Sequence, residues 1–167
     1  MNFLEPWQQQ EAYLRSVLTA ATATGAALAG YTIENVAPPA SDLPQVLGWQ
    51  YRRHSDRVAG LAAGGQGRKS QVAVFDFMLV VARAFNNMQT DTANQARIQA
   101  QAAWNDGSGH GLATVLLGDP TLGGNCTFST VDVSITVGRS VTSETDTSAI
   151  VLATLTTTAQ GVPIFYT

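Results

Sequence analysis

Apolar residues near the start of the chain recur at helical spacing. Leu14, Val17, Leu18 and Ala21 fall on one face, and Tyr13 extends the stripe. Pro6 suits a first helical turn, where its missing N–H leaves no bond unmade. With Gly25 and Gly30 following, these signals predict a helix over residues 5–22. The pattern then changes to alternation. Residues 31–36 read as a short strand stopped by Pro38 and Pro39, and Pro44 opens a second strand at 45–51. That strand places Val46 on one face and Leu47, Trp49 and Tyr51 on the other. The run 71–82 is the strongest strand signal, apolar on both faces, which predicts a central strand covered on both sides.

Thr90 or Asp91 can cap a second helix, in which Ala93, Ala96, Ala100 and Ala103 close-pack and Ile98 and Trp104 anchor. Gly107, Gly109 and Gly111 interrupt it. Leu112, Val115 and Leu116 then predict a short helix ended by Gly118, Asp119 and Pro120. Two strands rich in Thr and Val follow at 128–137 and 148–158, with a polar linker at 138–147. The first puts Val131, Val133, Ile135 and Val137 on one face, and the pair reads as an antiparallel hairpin. The apolar tail at 160–167 is either an extra edge strand or a segment that docks on a neighbour. This order predicts an α+β fold: a largely antiparallel four- to five-stranded sheet packed against two or three helices, with a long basic loop or hairpin, all in one domain over residues 1–167.

Charge changes this picture at one place. Nine Lys and Arg stand against twelve Asp and Glu, a net charge of −3. Five of the cations, Arg52, Arg53, Arg57, Arg68 and Lys69, lie within residues 52–70, opposed there by Asp56 alone. Gly60, Gly64, Gly65 and Gly67 make the segment pliable, so it reads as a flexible basic arm: a long loop or the tip of an extended hairpin. The acidic balance elsewhere argues against a general nucleic-acid binder. Only 13% of residues are charged, against about a quarter in ordinary soluble domains, and a surface poor in Lys and Glu is typical of protein–protein interfaces. No apolar run is long enough to span a membrane. The first residues lack the basic and apolar regions of a secretory signal, and the single Cys126 excludes an internal disulfide, so a reducing cytoplasm is expected.

Candidate chemistry is sparse. Gly64-Gly-Gln-Gly-Arg-Lys-Ser70 resembles a phosphate loop, but Arg68 stands where Gly must precede the Lys, and a strand follows where a helix is needed. Gly107-Ser-Gly-His-Gly-Leu112 has no strand before it, so it reads as a helix break. His54 and His110 have no second ligand at metal-binding spacing. Cys126 reads as a core residue, although a spatial pairing with His110 stays open. Asp76, inside the most apolar strand, needs a partner, and a salt link to an Arg such as Arg83 or Arg97 is the plain account. Trp7, Trp49 and Trp104 read as core residues. No catalytic, cofactor or metal site is expected.

The order of elements resembles the tail terminator proteins of tailed bacteriophages and, more loosely, their head–tail neck proteins. The residues that carry the likeness are the helix at 7–21, the strand at 31–36, Pro38-Pro39 with Leu43-Pro44-Gln45-Val46-Leu47, the segment 52–70, the strand at 72–81, the helix at 92–104 and the strand pair at 128–158. The interrupted helix at 107–117 and the apolar tail depart from that pattern. The resemblance implies a structural virion protein, assembled in the host cytoplasm, that forms a ring of six. Such a ring caps the tail tube protein, docks the head connector or another neck protein, and leaves a lumen through which DNA can pass. It implies no membrane partner and no enzymatic step. The residues assigned to subunit or tail-tube interaction are Arg52, Arg53, Arg57, Arg68 and Lys69. Another neck or tail ring component (an adaptor or head-completion protein) is the alternative, and a small intracellular enzyme using Cys126 or Asp76 is a third reading.

Overall fold

The computed structural model describes residues 4–39, 45–58, 67–82, 90–139 and 147–163. It is an α+β fold with elements in the order α1 (Pro6–Ala21), β1 (Thr32–Glu34), β2 (Val46–Val58), β3 (Arg68–Ala82), α2 (Thr90–Trp104), α3 (Leu112–Leu117), β4 (Phe128–Arg139) and β5 (Thr147–Pro163). The strands form one sheet in the order β1-β2-β3-β5-β4. β1 runs parallel to β2, and every other pairing is antiparallel. The most apolar strand, β3, is central as its composition predicts, with β2 and β5 on its flanks.

All three helices pack on one face. α1 begins with Pro6, and the Glu5 N–H donates to the Gln8 side chain at 2.8 Å, closing the first turn. Its buried stripe is Gln10, Leu14, Leu18 and Ala21. Gln10 is polar but satisfied: its amide donates to the Asn125 carbonyl at 3.0 Å, and it accepts from the Thr157 hydroxyl. Beneath the helices lie Leu47, Trp49, Phe75, Phe77, Leu79, Val151 and Leu155, which form one core with Ala96, Ala100, Leu112 and Leu116.

Among the described residues the opposite face carries no helix, so the expected cover on both sides of β3 is met there only in part. Val46, Val74 and Val80 are buried there, and among the described residues the segment 36–39 lies over β2, reaching across Gly48. Farther along, the surface is open. Thr154, Thr156 and Thr158 are half-buried, and Thr130, Asp132, Ser134 and Thr136 of the edge strand β4 are exposed.

Other expectations change for physical reasons. Ile98 does not anchor α2; it is 69% exposed. α2 buries Ala96, Ala100 and Ala103, and a residue two positions from Ala96 and Ala100 points to the far side of a helix. The basic segment is not a long loop where it is described. β2 and β3 pair through Arg57↔Ser70 and Val58↔Lys69, so they continue as an extended hairpin, and residues 59–66, with Gly60, Gly64 and Gly65, lie outside the described residues. Residues 160–163 belong to β5 rather than to a separate tail, while 164–167 lie outside the described residues.

Candidate functional site: the basic end of the β2–β3 hairpin

A bulge in β2 sorts the charged residues between the two faces. Tyr51 pairs with Phe75 and Arg53 with Val74, leaving Arg52 as the extra residue. Beyond it, His54 and Asp56 oppose Ala73 and Gln71 on the helix-bearing face, while Arg53, Ser55 and Arg57 oppose Val74, Val72 and Ser70 on the open face.

On the helix-bearing face the hairpin is clamped to the start of α1. Lys69 is 11% exposed and donates to Glu5 at 2.8 Å and to Asp56 at 3.1 Å. The Gln71 amide donates to Asp56 at 2.8 Å and to Glu5 at 3.2 Å, and its oxygen accepts the Trp7 N–H at 2.9 Å. Trp7 stacks on Tyr51, with centroids 4.3 Å apart, and on His54 at 5.3 Å. Burial acts to raise the Asp56 carboxyl and to lower the Lys69 ammonium, but the hydrogen bonds and opposite charges of the clamp outweigh it. The Asp56 pKa is lowered and that of Lys69 is raised.

A pH dependence follows. The lowered Asp56 pKa contributes stability that is present above its unfolded value and lost as pH falls through its folded value. The raised Lys69 pKa contributes stability that is present below its unfolded value and lost as pH rises through its folded one. Melting temperature should therefore be flat through neutral pH and fall on both sides. Lys69→Met should lower the plateau and shrink both losses. Acid and alkaline slopes unchanged in the variant would show that the clamp is energetically silent.

On the open face, Arg52 forms a two-pronged pair with Asp76. Its Nε donates to Oδ2 at 2.6 Å and its Nη2 to Oδ1, which raises the guanidinium pKa. This is the arginine link expected for Asp76, made by Arg52 rather than by Arg83 or Arg97. Arg97 bonds Asn94 on its own helix at 3.1 Å, and Arg83 lies outside the described residues. Arg68 Nη1 donates to the Gly161 carbonyl at 3.1 Å. Among the described residues, Arg53 and Arg57 make no side-chain hydrogen bond or ion pair, and both are exposed. The five cations flagged in the sequence therefore divide. Arg52 and Lys69 are neutralised within the subunit, while Arg53, Arg57 and Arg68 face outward. Glu5 and Asp76 join Asp56 in opposing the cations, and nothing in the sequence reveals this because they lie on other elements.

The candidates Cys126 and His110 lie apart from the hairpin and from one another. Cys126 is buried, its thiol donates to the Pro120 carbonyl at 3.4 Å, and burial with the nearby Asp119 charge pushes its pKa up to about 11. Its thiolate fraction at neutral pH should be about a hundredfold below that of an ordinary cysteine. Native protein should thus resist iodoacetamide and react fully once unfolded; equal rates in the two states would restore Cys126 as a candidate nucleophile. His110 is bound to Asp106 at 3.0 Å in an exposed turn and lines a different cavity from Cys126. Ser70 sits in β3, so no helix start follows the glycine-rich stretch before it. Among the described residues, no three His, Cys, Asp or Glu side chains converge on a metal position, and no helix is long and apolar enough to cross a membrane.

No protein-family model matches the chain, and no curated protein matches it.

Proposed function

We propose that the protein is a structural subunit of a phage head–tail neck: a tail terminator whose copies form a ring of six that caps the tail tube and presents a docking surface to the head connector. One observation carries the reading. Arg53, Arg57 and Arg68 project from the β2–β3 pair with no carboxylate bound to them among the described residues, on a chain that is otherwise acidic. An interface between unlike patches on identical subunits is head-to-tail and closes into a ring when the rotation permits. The uncovered sheet face and the low charge content support the same reading. The chemistry is geometric. One side of the ring matches the last ring of the tube, and the other does not template another.

The triple variant Arg53→Ser, Arg57→Ser, Arg68→Ser spares the Arg52–Asp76 pair and the Lys69 clamp, so its melting temperature should stay near that of the parent. Light scattering should find a ring, alone or on added tail tubes, for the parent and a monomer for the variant. High salt should move the parent toward the monomer, because contacts of this kind are screened. A parent that stays monomeric with tubes present, or a variant that assembles like the parent, would overturn the proposal.

A further inference from the structure

The base of the hairpin holds a second feature that the ring reading does not require. A cavity of about 380 Å³ lies where β2, β3 and β5 meet, lined by Arg57, Arg68, Lys69, Ser70, Gln160 and Gly161. Register explains the convergence. Arg57 is directly opposite Ser70, so their side chains share the open face at adjacent positions. Arg68, two residues from Ser70 along β3, falls on the same face. On β5 the pairing slips between Lys69↔Val162 and Gln71↔Ala159, so Gln160 and Gly161 bulge out beside them, with Gly161 at a φ of 66°. That bulge turns the Gly161 carbonyl to the Arg68 Nη1 and fixes one edge of the guanidinium. The rest of its donor fork has no partner among the described residues. The carboxylates Glu5 and Asp56 are bound to Lys69 and Gln71 on the other face, and Asp76 is bound to Arg52. The cavity therefore combines two uncompensated guanidinium groups, a hydroxyl and a side-chain amide.

We propose that this cavity binds a phosphate group. A tetrahedral oxyanion fits the donors better than a carboxylate does. The donors come from three adjacent strands, and two arginine forks with a hydroxyl and an amide offer more hydrogen bonds than one carboxylate can accept in its plane. The phosphate can be free or carried on a nucleic-acid backbone, since both present the same oxygens. The site rests on the geometry of the hairpin base in the single subunit; Arg57 and Arg68 are also two of the three cations assigned to the ring contact, so phosphate and a neighbouring subunit would compete for them.

The test is titration of the dilute full chain, followed by amide NMR shifts, with inorganic phosphate, with a short DNA duplex, and with acetate as the carboxylate control. Phosphate should shift the amides of Arg57, Arg68, Ser70, Gln160 and Gly161. Arg57→Gln or Arg68→Gln should each weaken it about tenfold or more, and Ser70→Ala should do so less. Arg97→Gln, on α2, should change nothing. Binding of both phosphate and duplex, each lost in the arginine variants, assigns the site to backbone phosphates. Phosphate binding without duplex binding assigns it to the free ion. No binding by either ligand, binding unaffected by Arg57→Gln and Arg68→Gln, or acetate binding as tight as phosphate would overturn the proposal, the last result pointing to a carboxylate of a neighbouring subunit.

Discussion

Phe75→Ala and Phe77→Ala should each destabilise the protein by about 3–5 kcal/mol, the usual cost of removing a ring from a packed core. Both rings are essentially fully buried, at 0% and 1% exposure, on the helix-bearing face of the central strand. Their neighbours leave little freedom to collapse into the space. Phe77 stacks against Trp49 at 6.1 Å, and Phe75 meets Tyr51 edge-on at 6.0 Å. In a domain of this size the loss corresponds to a fall in melting temperature of roughly 6–20 °C. Ile98→Ala, on the solvent side of α2, should stay within about 0.5 kcal/mol. Calorimetry on the three variants decides the matter: Phe variants that melt like Ile98→Ala would mean that the central strand does not carry the core.

Gly48→Ala should be the next most damaging change, although it adds a single methyl. A Cβ built there lies 2.3 Å from the Val36 carbonyl oxygen and 2.9 Å from the Pro39 nitrogen. Both are backbone atoms, so no rotamer change relieves the clash. Gly48 also pairs with Glu34, so pushing away the segment 36–39 strains the β1–β2 pairing beside it. Overpacking of this kind costs about 1–3 kcal/mol. Gly107→Ala is the informative contrast, because a Cβ there meets nothing within 4 Å but sits at a φ of 80°, so it reports backbone strain alone. Chemical denaturation should find Gly48→Ala the less stable of the two. A Gly48→Ala protein as stable as the parent would mean that the crossing segment does not press on β2.

What was legible in the sequence was whatever depends on periodicity. The stripe in α1, the central position of β3 and the pairing of β4 with β5 follow from residues close together in the chain. What was not legible depends on contacts between distant segments. Arg52 and Asp76 are 24 residues apart, and Lys69 and Glu5 are 64 apart. Charge counting along the chain therefore finds only Asp56 against them. Glycine content was ambiguous in a similar way. It left a long loop and an extended hairpin both open over 52–70, and residues 52–58 take the hairpin form because β3 offers them a ladder. Ile98 is a different kind of miss. Its position relative to Ala96 and Ala100 points it outward, an angle that its hydrophobicity obscures.

The strand order has a consequence for how the chain must reach this fold. β5 follows the other four strands in sequence, yet it lies inside the sheet, between β3 and β4. During synthesis β4 therefore has no sheet partner until residues 147–163 have been made, and the hairpin of β2 and β3 waits with one edge unpaired. The Gln10–Thr157 bond, which spans 147 residues, closes only then as well. Folding is thus a late event dominated by non-local contacts, slow by the usual relation between topology and rate. Until it is complete, the growing chain exposes the edges that chaperones shield and that aggregation exploits.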